Sequence, residues 1–193
     1  MIIQWYGQSF FKITAKNQKN EEVTVVIDPF DKSLGLKLPN KFGADLLLIT
    51  HEGADANNIE LIKGTPLSEN PFEISGPGEY EVKGVMVYGI PAYRDDKEGR
   101  EKGENTIYLM QIEEVWLAHL GALGQKNLIN GQLEQLQGTD IILIPTGGEE
   151  NLTAKDASQI ITQIEPRIII PMSYNLSGLK QKLDPLEKFI KEV

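Results

Sequence analysis

Apolar residues in the first half of the chain fall into short blocks separated by polar turns. Trp5 and Tyr6, then Phe10, Phe11 and Ile13, flank Gly7, which predicts two strands over 4–6 and 9–14 rich in aromatic and β-branched residues. The polar run 17–22 reads as a turn, and 23–28 as a strand that stops at Pro29. The block 45–50 is nearly all apolar, as in a strand covered on both faces, and turns polar at His51. Glu73-Ile74-Ser75 leads into Gly76-Pro77-Gly78, a turn signal, and 79–90 then reads as a strand or hairpin. After a charged loop at 95–105, strands are expected over 106–111 and 115–119.

The period changes in the second half. A short helix is predicted over 128–136 and a buried strand over 141–144, ending at Pro145. Thr153 with Asp156 three residues on has the form of a capping box. Behind it Ala157, Ile160, Ile161 and Ile164 recur at helical spacing and give one apolar face. A strand over 167–171 follows. Asp184 reads as an N-cap with Pro185 in the first helical position, and Leu186, Phe189, Ile190 and Val193 line the helix. Strands first, then strands alternating with helices, predict one α/β domain over 1–193 in which helices cover packed sheets.

Composition narrows the chemistry. The 193 residues include no cysteine, so disulfides, zinc ribbons and thiol nucleophiles are excluded. The net charge of −9, with lysines scattered among acids, argues against nucleic acid and anionic lipid as partners. No apolar run approaches the length of a membrane span, and the first residues do not form a signal peptide, so the cytoplasm is the expected location. His51 and His119 are the only histidines, too few for two metal ions on imidazole ligands. Gly147-Gly148 and Gly121 with Gly124 lack the Lys-Ser or Lys-Thr of a phosphate loop. Ser9, Ser75, Ser158 and Ser177 lie in no nucleophile-elbow pattern. The charges over 94–104 are of mixed sign, as on a solvated loop.

Ile49-Thr50-His51-Glu52-Gly53-Ala54-Asp55-Ala56 carries a buried strand into a polar turn that is expected to open a helix. This segment resembles the His-x-His-x-Asp-His signature of the metallo-β-lactamase superfamily. The likeness continues through Ile27-Asp28-Pro29-Phe30, Gly76-Pro77-Gly78-Glu79-Tyr80-Glu81, Asn105-Thr106-Ile107-Tyr108, His119-Leu120-Gly121, Ile144-Pro145-Thr146-Gly147-Gly148 and Ile170-Pro171-Met172. It points to the small metal-dependent hydrolases near the ascorbate-6-phosphate lactonases. The resemblance implies a four-layer αββα sandwich of α/β (α+β) class, with metals at the sheet edge between the two halves.

Laid against that pattern, the chain keeps His51 and Asp55 of seven ligand positions. Gly53 and Ala56 stand where the second and third histidines belong, Arg94 at the next histidine, Ala122 at a metal-bridging aspartate and Ser173 at a last histidine. A zinc hydrolase needs about three protein ligands and an open position for water, and an arginine has no lone pair to offer. The expectation from this count is a non-hydrolytic binding or assembly module without a cofactor. Arg94 would then pair with Asp55 in place of the metal's charge, and the old cleft would receive a small anionic ligand. The alternative is a hydrolase of phosphate esters or lactones with one zinc or other divalent ion rebuilt on His51 and Asp55, supported by Asp28, Glu52, Asp95 or His119. A third reading is a protomer of a homo-oligomer. Simpler roles stand beside these: His51 bonded to Asp55 or backbone, His119 as a hydrogen-bonded core residue, Asp55 as a helix cap, and Asp28-Pro29 as a strand-ending turn.

Overall fold

The computed structural model describes residues 1–65, 69–149 and 151–193. The aromatic and β-branched blocks of the first half become β1 (Ile2–Gly7), β2 (Phe10–Lys16), β3 (Glu22–Ile27), β4 (Phe42–Gly43), β5 (Leu46–Leu48), β6 (Ile62–Lys63) and β7 (Phe72–Ile74). The remaining strands are β8 (Gly78–Val82), β9 (Val85–Tyr93), β10 (Glu104–Ile112), β11 (Val115–His119), β12 (Ile141–Pro145) and β13 (Ile168–Met172). Two large sheets result, one in the order β1-β2-β3-β5-β7 and one in the order β13-β12-β11-β10-β9-β8, with β4 and β6 pairing apart. The hairpins pair antiparallel, whereas β3, β5 and β7 run parallel, as do β11, β12 and β13.

Period-two alternation decides which face each side chain enters. Phe11, Ile13 and Ala15 of β2 point between the sheets and meet Tyr108, Met110 and Ile112 of β10 in one cluster, while Phe10 joins the opposite face. The Tyr108 hydroxyl lies 2.9 and 3.0 Å from the carbonyls of Ile49 and Ile74, so a polar group ties the two sheets inside an apolar layer.

The outer face of the six-stranded sheet is covered by α1 (Asn130–Leu136), α2 (Ala154–Ile164) and α3 (Leu186–Ile190). Thr153 caps α2 by accepting the Asp156 N–H, as predicted, and Ala154, Ala157, Ile160 and Ile164 are buried. Asp184 does not cap α3; its carboxylate takes Lys188 Nζ at 2.8 Å instead. Of the predicted face, Phe189 is buried but Ile190 and Val193 are exposed, because a five-residue helix cannot carry four positions on one side. The other sheet's outer face is roofed by two 3₁₀ turns (Lys32–Leu34 and Ile59–Leu61) and the short β4–β6 ladder. No helix among the described residues is long and apolar enough to cross a membrane.

The parallel strands place their C-terminal ends at one edge. The segments that leave them are cross-bonded: Thr106 N–H donates to Thr50 O, Leu120 N–H to Leu143 O, Thr146 N–H to Met172 O and Ser173 N–H to Gln8 O.

Candidate functional site

His51 leaves the end of β5 with both ring nitrogens engaged by side chains. Asp28, fully buried at the end of β3 with φ 49°, accepts Thr50 N–H on Oδ1 at 2.8 Å and the Thr50 hydroxyl on Oδ2 at 2.6 Å. Thr50 Oγ1 is also 2.9 Å from His51 Nδ1. The hydroxyl has one hydrogen, so when Asp28 is ionised that hydrogen goes to the carboxylate and Nδ1–H of His51 donates to Thr50. His51 Nε2 faces Asp55 Oδ1 at 3.1 Å. A shared proton fits that separation, and so do two ligand atoms of one cation, each about 2 Å from it.

The carboxylates of this row differ in environment. Burial pushes Asp28 up to about 6, against the charge of His51 and the bonds from Thr50. Burial also opposes ionisation of Asp55, but the hydrogen bond and charge of His51, with the charge of Arg94, outweigh it and hold its carboxyl below the usual range.

The loop carrying Asp55 is not the expected opening of an α-helix. The N–H groups of Ala56 and Asn57 return to Gly53 O, and only the 3₁₀ turn at Ile59–Leu61 follows. Asp55 therefore caps no helix; its carboxylate is held by His51. A Cβ on Gly53 would lie 2.5 Å from Asp55 Oδ1 and 3.4 Å from His51 Nε2, so the contact between these two uses the room a side chain at 53 would need. Ala56 is fully buried, and Glu52 takes Asn57 Nδ2 at 2.6 Å.

His119 is held differently. Its Nε2–H donates to Ser9 O at 2.9 Å and its Nδ1 accepts Gly121 N–H at 3.1 Å. Burial holds it down to about 4, so it is neutral and has no lone pair left for a ligand. Gly121 (φ 60°) brings this turn against Thr50, where a Cβ would meet Thr50 Cβ at 2.7 Å. Asn105 then bridges Leu120 O and Ala122 N–H, which fixes Ala122 beside the site.

Arg94, at the end of β9, does not form the expected ion pair with Asp55. Its Nη1 reaches Glu52 O at 3.4 Å, and its Nε is buried without an acceptor. His51 takes Asp55 Oδ1, and Arg94 acts on the carboxylate only through its charge. Asp95 takes no part, because it accepts the N–H groups of Lys97, Gly99, Glu101 and Lys102 in its own loop. Ser173 is buried at φ 50° and contacts Gln8 O through its N–H.

Two residues at this edge carry no sequence motif. Gln8 sits in the turn between β1 and β2 at φ 50°, is 3 % exposed, and has a buried Nε2 without an acceptor. Ser9 reaches Asp55 O with its hydroxyl at 3.4 Å and takes His119 with its carbonyl. The one signal for them is a polar pair between two aromatic strands beside Gly7, where the β1–β2 register shifts.

Two packed sheets with a histidine–aspartate loop at the ends of their parallel strands define the metallo-β-lactamase class of fold. A profile of the β-lactamase superfamily domain matches residues 2–173, and the chain belongs to the metallo-β-lactamase superfamily. It is 27 % identical over 218 residues to a UPF0173 metal-dependent hydrolase of Methanopyrus kandleri, covering 100 % of this chain and 91 % of the relative. A UPF0173 metal-dependent hydrolase of Thermococcus onnurineus is 27 % identical, covering 90 % and 84 %. The crystal structure of a protein of Thermotoga maritima, named as a Zn-dependent hydrolase of the metallo-β-lactamase superfamily, superposes with a TM-score of 0.77 at 30 % identity, covering 99 % and 84 %.

These relatives correct two expectations from the ligand count, a non-hydrolytic module and the lack of a cofactor. Proteins alike over nearly the whole chain are named metal-dependent hydrolases, which implies a metal cofactor. Counting residues at fixed positions tests one geometry of site, whereas the strand ends that present donors to an ion belong to the fold as a whole.

The residues present do not fit two ions. Among the described residues no group of three or more His, Cys, Asp or Glu converges as a metal site would. His51 Nε2 and Asp55 Oδ1 face one another as a single nitrogen–oxygen pair, two donors where a hydrolytic site uses about three.

Proposed function

We propose that this protein is a metal-dependent hydrolase of phosphate esters or lactones that works with a single divalent ion, zinc or a similar metal, at His51 and Asp55. The site is reduced from the family pattern at Gly53, Ala56, Arg94, Ala122 and Ser173. The observation that carries this reading is the likeness to named metal-dependent hydrolases over nearly the full chain, joined to a His51–Asp55 pair at the sheet edge. A cytoplasmic location goes with it, supported by the lack of cysteine.

Bound there, such an ion acidifies water and polarises the scissile group. The chain supplies the rest. Asp28, through Thr50, holds a proton on His51 Nδ1 and so directs the Nε2 lone pair outward. Asp55 adds negative charge beside it. Arg94 places a fixed cation near the carboxylate without bonding to it.

The test is metal content of protein purified without chelator, together with hydrolysis of p-nitrophenyl phosphate, its diester and simple lactones. About one zinc, manganese or iron per chain is expected, with activity that EDTA and His51→Ala both abolish. Metal-free protein that cleaves nothing in the panel when each ion is added back overturns the reading.

A further inference from the structure

The two large sheets end in edge strands on two sides, and the two sides differ in charge. On one, β7 and β8 present the exposed Glu73, Glu79 and Glu81, a usual means of keeping a sheet edge from joining another chain. On the other, β1 and β13 contain no charged residue. Ile2 of β1 is 62 % exposed and Ile168 of β13 is 52 % exposed. Ile3, Trp5 and Ile170 are only partly buried, at the rim of the core between the sheets. The two edges form one surface, since the Trp5 and Tyr174 rings lie 5.1 Å apart and Ser173 N–H donates to Gln8 O. A cleft of about 400 Å³ opens where β13 begins, with Val115, Ile141 and Ile168 in its wall. Apolar strand edges without charge invite a partner.

The backbone limits how that partner can sit. Ile168 N–H donates to Asp140 O and Met172 O accepts Thr146 N–H, so the backbone of Ile169 and Pro171 faces away from β12. Pro171 has no N–H to offer there, and an incoming strand cannot continue the ladder past it. Side-chain packing in a closed pair suits this edge better than open-ended strand addition. Charge then selects the arrangement. β1 and β13 both run toward the end that carries His51. At that end Lys180 N–H donates to Leu34 O, and Lys32, Lys37, Lys180 and Lys182 are exposed, with Asp31 the acid beside them. At the opposite end Glu113, Glu114 and Glu165 are exposed, and Arg167 is paired with Asp140 at 3.3 Å. A two-fold axis along the strands would set lysines against lysines. An axis across the strands sets them against the acids of a second copy.

We propose that the side formed by β1 and β13 is a homodimer interface, in which two copies meet about a two-fold axis across the strands, β1 beside β1 and β13 beside β13. Each copy covers the Ile2 and Ile168 side chains of the other, and the lysine end of one lies along the acidic end of its partner. The inference does not depend on the hydrolase reading, because it uses neither His51 nor Asp55.

Sedimentation velocity of the full chain at about 50 µM is the first test, and a dimer is expected. Ile2→Glu with Ile168→Glu is expected to raise the dissociation constant by about 100-fold or more, since closing the interface would bury carboxylates without partners. Phe72→Glu, on the opposite side, should leave the dimer intact. Lys180→Glu with Lys182→Glu should weaken it several-fold. Near-ultraviolet circular dichroism of each variant checks that the monomer is folded. Because the chain has no cysteine, single thiols report the geometry without changing the apolar contacts. Gln4→Cys and Ile169→Cys are each expected to link to their own copies through a short bismaleimide. A monomer at this concentration overturns the proposal, as does a dimer that survives Ile2→Glu with Ile168→Glu or is lost in Phe72→Glu. An unchanged dissociation constant in Lys180→Glu with Lys182→Glu, or links formed chiefly between Gln4→Cys and Ile169→Cys chains in a mixture, overturns the axis across the strands.

Discussion

The two histidines lie at the same sheet edge and are held by opposite means. His51 has a hydroxyl backed by a carboxylate on one nitrogen and a carboxylate on the other, so its protons and its lone pair depend on groups that titrate. His119 has backbone on both nitrogens and is neutral by burial. One imidazole is left adjustable, whereas the other is a bracket joining β11 to the β1–β2 turn. On the proposed hydrolase reading, chemistry at this edge falls to His51.

The largest effect that would break this contrast is on activity. His51→Ala is expected to lower kcat/KM for a phosphate ester by about 100-fold or more, since even partners of a ligand cost 10–100-fold. His119→Ala should instead read out in stability. It opens a cavity and strands Ser9 O and Gly121 N–H, a loss of about 3 kcal/mol, or roughly 6–12 °C in melting temperature for a chain of this size. Equal losses of activity in the two variants, measured where both are folded, would erase the distinction.

Acid titration sharpens it. The folded pKa of His119 lies near 4, below its ordinary 6.5, so stability is lost as pH falls from 6.5 toward 4. The folded pKa of Asp28 lies near 6, above its ordinary 3.8, so stability is lost as pH rises from 3.8 toward 6. Between pH 4 and 6 the two slopes oppose one another in the native protein. Asp28→Asn removes one of them, and urea unfolding of that variant is expected to show about 3 kcal/mol lost between pH 6.5 and 4. A flat profile in Asp28→Asn contradicts the assignment of a neutral, buried His119.

The smallest expected effect is that of Thr50→Ser. It removes one buried methyl, about 1 kcal/mol, and keeps the hydroxyl between Asp28 and His51. Activity should stay within a few-fold of the parent; a loss comparable to that of His51→Ala would show that the hydroxyl bridge is not what orients the ring.

Much of the fold was legible because burial follows the period of the side chains. The apolar block at 45–50 and the 157–164 helical face each encode which surface is covered: the first forms β5 over Leu46–Leu48, buried throughout, and the second the buried side of α2, while the strand read over 106–111 lies within β10. The roof over the five-stranded sheet was not legible, because 3₁₀ turns and a two-residue ladder have no period to detect. The site was legible at His51 and Asp55, where a spaced motif survives. It was illegible at Gln8, whose importance lies in a backbone angle and an unpaired amide, neither of which leaves a pattern in the residues around it. The expected Arg94–Asp55 pair failed for a related reason: charge complementarity names candidates, but which base reaches the acid first is set by a five-residue turn.

That turn has a consequence for how this sequence can change. Because Asp55 Oδ1 stands where the first carbon of any residue at 53 would go, positions 53 and 55 are epistatic. A histidine returning at 53 meets an occupied volume unless Asp55 has already let go of His51. The order in which side chains at 53 and 55 can change is thereby constrained, and the present arrangement works as a ratchet.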